Sequence, residues 1–186
     1  MLPPGHPVGV RKREIRADYD DQSIVVYQAY SAAIADPAVA AQRFVPPFKM
    51  ERMTWIKPSF LWMMYRCGYT LKEGQERVLA VRITREGFDW AVSQAVESNI
   101  SGKPSVRVQW DPERGLNHEA LEHRSIQIGL TREAVEKYVH EWTVSITDVT
   151  ALARQIHERV RAQDLDGARA LLPVERPYGT STAQNA

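Results

Sequence analysis

Met53-Thr-Trp-Ile-Lys-Pro-Ser-Phe-Leu-Trp-Met-Met-Tyr-Arg66 is the stretch on which the fold turns. The Lys-Pro-Ser step must be extended or turned, because a proline pushes the residue before it out of the α region. A helix with almost no polar side follows. At about 100° per residue, Phe60, Met63, Met64 and Cys67 share one face, while Trp62 and Arg66 share the opposite one. A helix that is apolar nearly all round is buried, so the charge of Arg66 requires a partner or a ligand. Such a helix has to be packed among strands, and strands are what the flanking sequence supplies.

Before it, Ile24-Val-Val-Tyr-Gln-Ala-Tyr30 is rich in β-branched and aromatic residues and reads as a strand. Ser31 is placed to cap Ala32–Ala35, and Asp36-Pro37 restarts a short helix with proline in its first turn. Phe44-Val-Pro-Pro-Phe48 is irregular. After it, strands are expected at Arg77–Ile83, Val106–Trp110 and Ser125–Leu130, with a helix from Glu86 to about Val96 capped by Thr84. The last third reads as helical, over Arg132–Val144, from Thr147 and Asp148 through Val160, and near Ala168–Leu172. The expected class is α+β, a small central and mostly antiparallel sheet with flanking helices and a helical C-terminal third. One globular domain is expected over 13–173, after a flexible leader (1–12) and before a disordered tail (174–186).

Composition narrows the function classes. With 44% hydrophobic and 25% charged residues the chain is an ordinary soluble globular protein, and a net charge of +1 gives no global field toward nucleic acid or membrane. The single cysteine, Cys67, rules out an intramolecular disulfide and a cysteine-based zinc cage, and reads as an inert core thiol. His118 and His123 flank Glu119 and Glu122 without a third ligand, so no metal is expected. No apolar run approaches a membrane span, and the opening residues lack the apolar region of a signal peptide; the expected location is cytoplasmic. P-loop, dinucleotide-fold, zinc-protease and nucleophile-elbow motifs are absent.

Polar residues inside segments that ought to be buried mark the candidate site. Gln28 and Ser31 bracket Tyr30 at the end of the first strand, and Lys57 and Ser59 flank the proline before the helix. Gln109, Asp111, Glu113 and Arg114 cluster where the third strand ends, and Arg124 and Gln127 begin the fourth. Buried polar groups must find partners, so one reading is a structural hydrogen-bond network. The functional reading is that these groups meet Trp55–Arg66 in one pocket. There Trp55 and Trp62 would stack on a base, Lys57, Arg66 and Arg124 would hold a phosphate, and Asp111 or Glu113 would bind a sugar hydroxyl or act as a base.

Several blocks resemble a known family. Arg13-Glu-Ile-Arg-Ala-Asp-Tyr-Asp-Asp, Val26-Tyr-Gln-Ala-Tyr-Ser, Arg43-Phe-Val-Pro-Pro-Phe-Lys, the Met53–Arg66 stretch, Val108-Gln-Trp-Asp-Pro-Glu-Arg and Arg124-Ser-Ile-Gln-Ile-Gly-Leu are similar to the signature blocks of the bacterial and fungal family called domain of unknown function 4291. That family brings no catalytic residues with it. The order of Val26–Ser31, the helix after it, Trp55–Ser59 and Val108–Glu113 also resembles the ADP-ribosyltransferase superfamily. That resemblance implies an ADP-ribosyltransferase-like fold, NAD as substrate, and a catalytic residue among Gln109, Asp111 and Glu113; Gln28 departs from the histidine or arginine common there. Three functions are therefore expected in turn. The first is a nucleotide-binding enzyme transferring ADP-ribose from NAD. The second is an RNA or other nucleic-acid binding module, using Arg11-Lys-Arg13, Arg43, Lys49, Arg52 and Lys57 among aromatics. The third is an interaction domain that docks a partner on the helical C-terminal third, with oligomeric state open.

Overall fold

The computed structural model describes residues 13–180. Runs rich in β-branched residues build β2 (Ser23–Tyr30) and β4 (Arg77–Thr84), which pair antiparallel along their whole length. β8 (Thr143–Asp148) joins the far side of β4, giving a three-stranded sheet in the order β2-β4-β8 once β1 (Arg16–Ala17) is passed. Ile24, Val26, Leu79, Val81 and Ile83 point into one core, and Val25, Tyr27 and Val78 into another, so this sheet is buried on both faces.

A second sheet runs β3-β7-β6-β5, from β3 (Thr54–Ile56), β7 (Ala120–Leu130), β6 (Val106–Arg114) and β5 (Val96–Glu97). All its pairings are antiparallel except β5 with β6. Its apolar face, Ile56, Val106, Val108, Ile126, Ile128 and Leu130, shares the first core with β2 and β4, with α1 (Ala32–Ala41) and with α3 (Arg85–Gln94). The second core lies between the outer face of the three-stranded sheet and α2 (Phe60–Cys67), α5 (Thr150–Arg161) and α6 (Leu165–Leu171). Besides the shared first core, a backbone bridge joins the two sheets, where the Tyr27 amide donates to the Lys57 carbonyl at 2.8 Å.

The fold is α+β, with antiparallel sheets flanked by helices. Several local expectations are corrected. Arg132–Val144 is not one helix: α4 (Glu133–Lys137) passes into a π-helical turn, Tyr138–Trp142, and the chain then enters β8. The spacing of Val135, Tyr138, Val139 and Trp142 does describe a buried face, and all four are buried. The strand was hidden because Thr143–Asp148 is an edge strand carrying one buried apolar residue, Ile146. Ala32–Ala41 is a single helix with Pro37 inside it, and Ser31 makes no side-chain capping bond. Thr84, by contrast, accepts from the Gly87 amide at 3.1 Å as expected.

The chain does not leave the fold at Val174. β9 (Arg176–Pro177) pairs with β1, the Tyr178 ring is buried against Phe88, and Glu175 accepts from the Phe60 amide at 2.8 Å. A stretch whose composition reads as a disordered tail is docked here through Glu175 and Tyr178. The expected leader, 1–12, lies outside the described residues, as does 181–186. No helix among the described residues is long and apolar enough to cross a membrane.

Candidate functional site

Beyond the Tyr27–Lys57 contact, β2 and β3 stop pairing and diverge, because each turns to a different sheet partner. The gap between them is a cleft of about 490 Å³. Its walls are Gln28–Ser31 from the end of β2, Met53–Trp55 and Lys57 from β3, Met63 and Arg66 from α2, and loop residues Pro47–Lys49, Arg52, Gly74 and Gln75. The size suits a small-molecule site.

Charge on these walls has one sign. Lys49, Arg52, Lys57 and Arg66 line the cleft, no carboxylate does, and none of the four forms an ion pair with a described residue. Lys57 is the deepest, only 4% exposed. Its ammonium lies 5.2 Å from the centre of the Trp62 ring. Burial pushes its pKa down to about 7; Arg66 adds to the lowering, and Asp111 and then Cys67 oppose it. Arg66, expected in a buried setting, is instead exposed on the cleft wall, two residues before the helix's C-terminal cap at Gly68. The last turn stays packed through Met64 and Cys67, and only its outer side, Tyr65 and Arg66, faces solvent.

A polar relay stiffens the other wall. Tyr138 donates its hydroxyl to Gln28 Oε1 in the buried interior, and Gln28 Nε2 donates to the Tyr30 hydroxyl at 2.9 Å. Burial raises the Tyr30 pKa to about 12, while the neighbouring Thr54 and Gln28 side chains pull it back. Trp55 lies over Gly129 of β7, where an added Cβ would sit 3.0 Å from the indole and 2.8 Å from Met53 Sδ. The glycine therefore sets how low Trp55 lies on the sheet.

Of the expected site residues, Gln28, Tyr30, Ser31, Trp55, Lys57 and Arg66 meet at this cleft; Trp62 contributes from beneath through Lys57. The others are turned elsewhere. Gln109 and Gln127 face each other across β6 and β7, and each donates to Asp111, at 3.0 and 2.6 Å, occupying both carboxylate oxygens. This triad shares a sheet face with Lys57, because the β3–β7 register extended by one residue places Lys57 opposite Gln127. Glu113 accepts from the Ser59 hydroxyl at 2.8 Å and from the Arg114 amide, and burial raises its pKa. Ser59 in turn caps α2 by accepting from the Trp62 amide at 3.0 Å. Arg114 stacks on Tyr65, 4.0 Å from the ring centre, and donates to the His118 carbonyl. Arg124 donates to the Trp110 carbonyl at 3.1 Å on the outer edge of β6.

Ser59 and Glu113 are thus elements of α2's N-terminus, where Glu175 is the second carboxylate. Burial raises the Glu175 pKa to about 8, while the Phe60 amide pulls it back. Lys49 and Arg52 are expected only in the nucleic-acid reading, and Thr54 and Gln75 in neither. Lys49 and Arg52 carried a signal in sequence as cations next to the Phe44–Phe48 loop, whereas Thr54 and Gln75 have no signal apart from their place in the fold. Cys67 is fully buried, and burial raises its thiol pKa.

A family model described as Domain of unknown function (DUF4291) matches residues 14–178. No curated protein and no solved structure matches the chain.

Proposed function

This chain belongs to the DUF4291 family, and from that premise we propose that its cleft binds a phosphate-bearing small molecule, a nucleotide being the class that fits best. The observation that carries this is four cations, none in an ion pair with a described residue, on a wall without a carboxylate, in a chain whose net charge is only +1. Arg52, Arg66 and Lys49 would hold the phosphates at the mouth, where a guanidinium gives two parallel donors to an oxyanion. Trp55 offers a half-buried aromatic face for a base, and the half-buried Ser31 and Gln75 supply neutral hydrogen-bonding groups for a sugar.

Transfer of ADP-ribose from NAD is the narrower form of this proposal. It would need a carboxylate at the ribose, and Asp111 is the candidate electrostatically coupled to Lys57, although Gln109 and Gln127 already hold it. The resemblance behind it rests on the order and type of residues in Val26–Ser31, Trp55–Ser59 and Val108–Glu113. Nucleic acid is the alternative ligand, favoured by the exposure of Lys49 and Arg52 at the rim.

Titration calorimetry with NAD, ATP, AMP and pyrophosphate tests the proposal. Binding is expected, and Arg66→Gln or Arg52→Gln should each weaken it by about tenfold, the scale of one charge-assisted hydrogen bond. Absence of heat with all four ligands refutes it. Binding of single-stranded RNA with a steep salt dependence, without binding of mononucleotides, shifts the assignment to the nucleic-acid reading.

A further inference from the structure

We propose that Lys57 is a nucleophilic amine, and that the cleft takes a phosphate ester carrying an aldehyde or ketone, which Lys57 captures as an imine. The proposal rests on the phosphate-binding reading above and names the substrate class. Its geometric basis is the position of one side chain. Lys57 stands on the floor of the cleft, 4% exposed, against the Trp62 ring, and no described carboxylate pairs with it. A lysine kept only to hold phosphate would be better placed at the rim, where Lys49 and Arg52 already are. An amine that is desolvated and beside another cation, here Arg66, is the arrangement that frees a lysine lone pair near neutral pH.

The step balances without an outside oxidant or reductant. The nitrogen lone pair adds to the carbonyl carbon, and the carbonyl oxygen takes one amine proton to become a hydroxyl. That hydroxyl leaves as water with the second proton as the C=N bond closes. Tyr30, whose hydroxyl accepts from Gln28 Nε2, is a hydroxyl in the same cleft through which a proton can pass. The cations at the mouth then fix the substrate's phosphate while its carbonyl reaches the floor.

Pyridoxal 5′-phosphate is the probe, an aldehyde and a phosphate in one molecule. The whole chain is incubated with it at pH 8, reduced with borohydride, and mapped by peptide mass spectrometry. Lys57 is expected to be labelled on the order of tenfold faster than Lys49, Lys72, Lys103 or Lys137. A lower pKa raises the neutral fraction by more than it lowers intrinsic nucleophilicity, as it does for thiols. Excess pyrophosphate should suppress the label, pyridoxal without its phosphate should label Lys57 about tenfold more slowly, and Lys57→Met should abolish it. Should Lys57→Met fail to fold, Arg66→Gln serves, and is expected to erase the advantage of the phosphorylated aldehyde. Labelling spread over the exposed lysines, with Lys57 no faster than they are, overturns the imine. If pyrophosphate still binds by calorimetry in that case, the phosphate cleft stands and only the nucleophile falls. If Lys57 reacts equally with both aldehydes and pyrophosphate gives no heat, the phosphorylated substrate class and the reading beneath it fall together.

Discussion

Replacing Lys57 with methionine keeps the length of the aliphatic stem and removes the amine, which makes it the sharpest probe of the cleft floor. In the folded chain the pKa is lowered from 10.5 to about 7. A depressed folded pKa contributes stability above the unfolded value, and that contribution is lost as pH falls through the folded value. The window therefore runs from pH 10.5 down to 7, and below it the wild type carries the full cost of burying a charge. The ceiling of that cost is about 5 kcal/mol, and water reaching the amine from the cleft reduces it to roughly 2–4 kcal/mol. Urea unfolding of both proteins from pH 6 to pH 9 reads the effect as a difference, in which distant titrating groups cancel. Lys57→Met is expected to be the more stable at pH 6, and its advantage should shrink by about 1–3 kcal/mol on going to pH 9. A difference that stays constant within about 0.3 kcal/mol across that range would mean a solvated amine. The floor of the cleft would then not be what its burial implies, and the argument for Lys57 would be refuted.

Three further outcomes follow from the packing. Gly129→Ala should cost about 1–3 kcal/mol and lift Trp55, weakening nucleotide binding with every cation intact; unchanged affinity by calorimetry would remove Trp55 from the site. Tyr138→Phe leaves Gln28 Oε1 without its buried donor and should lower stability by about 1–3 kcal/mol in chemical unfolding, whereas a neutral result would mean that Gln28 re-pairs. Glu175 has a raised folded pKa of about 8, so its contribution is present below the unfolded value near 4.5 and is lost as pH rises through 8. Glu175→Gln keeps an acceptor for the Phe60 amide, and is expected to gain about 1–3 kcal/mol on the wild type between pH 5 and pH 8; identical pH profiles of thermal unfolding would exclude a buried carboxyl there.

Local chemistry was legible in the chain itself. The compact β-branched and aromatic run in Ser23–Tyr30, the short apolar run in Arg77–Thr84 and the proline-then-apolar run into Phe60–Cys67 each point to a strand or a buried helix. Half of the site was legible for the same reason: Gln28, Lys57 and Trp55 are polar or aromatic groups where burial is expected, and burial without a local partner points to a shared space. What the chain could not reveal is which polar groups share that space and which are neutralised nearby. Asp111, Glu113, Arg114 and Arg124 looked equivalent to Lys57 in sequence, yet each finds a partner on its own or an adjacent element.

Thr143–Asp148 and Glu175–Tyr178 were misread because an edge strand and a docked terminal segment draw their stability from neighbours distant in sequence, and carry little pattern of their own. The amino-acid sequence by itself determined which segments must be buried and where polar groups are out of place, since burial periodicity and desolvation act over a few residues. Only the tertiary structure decided that β2 and β3 part after Tyr27 and Lys57, because that divergence is set by two different sheet partners, β4 and β7, which lie far along the chain from the gap they open.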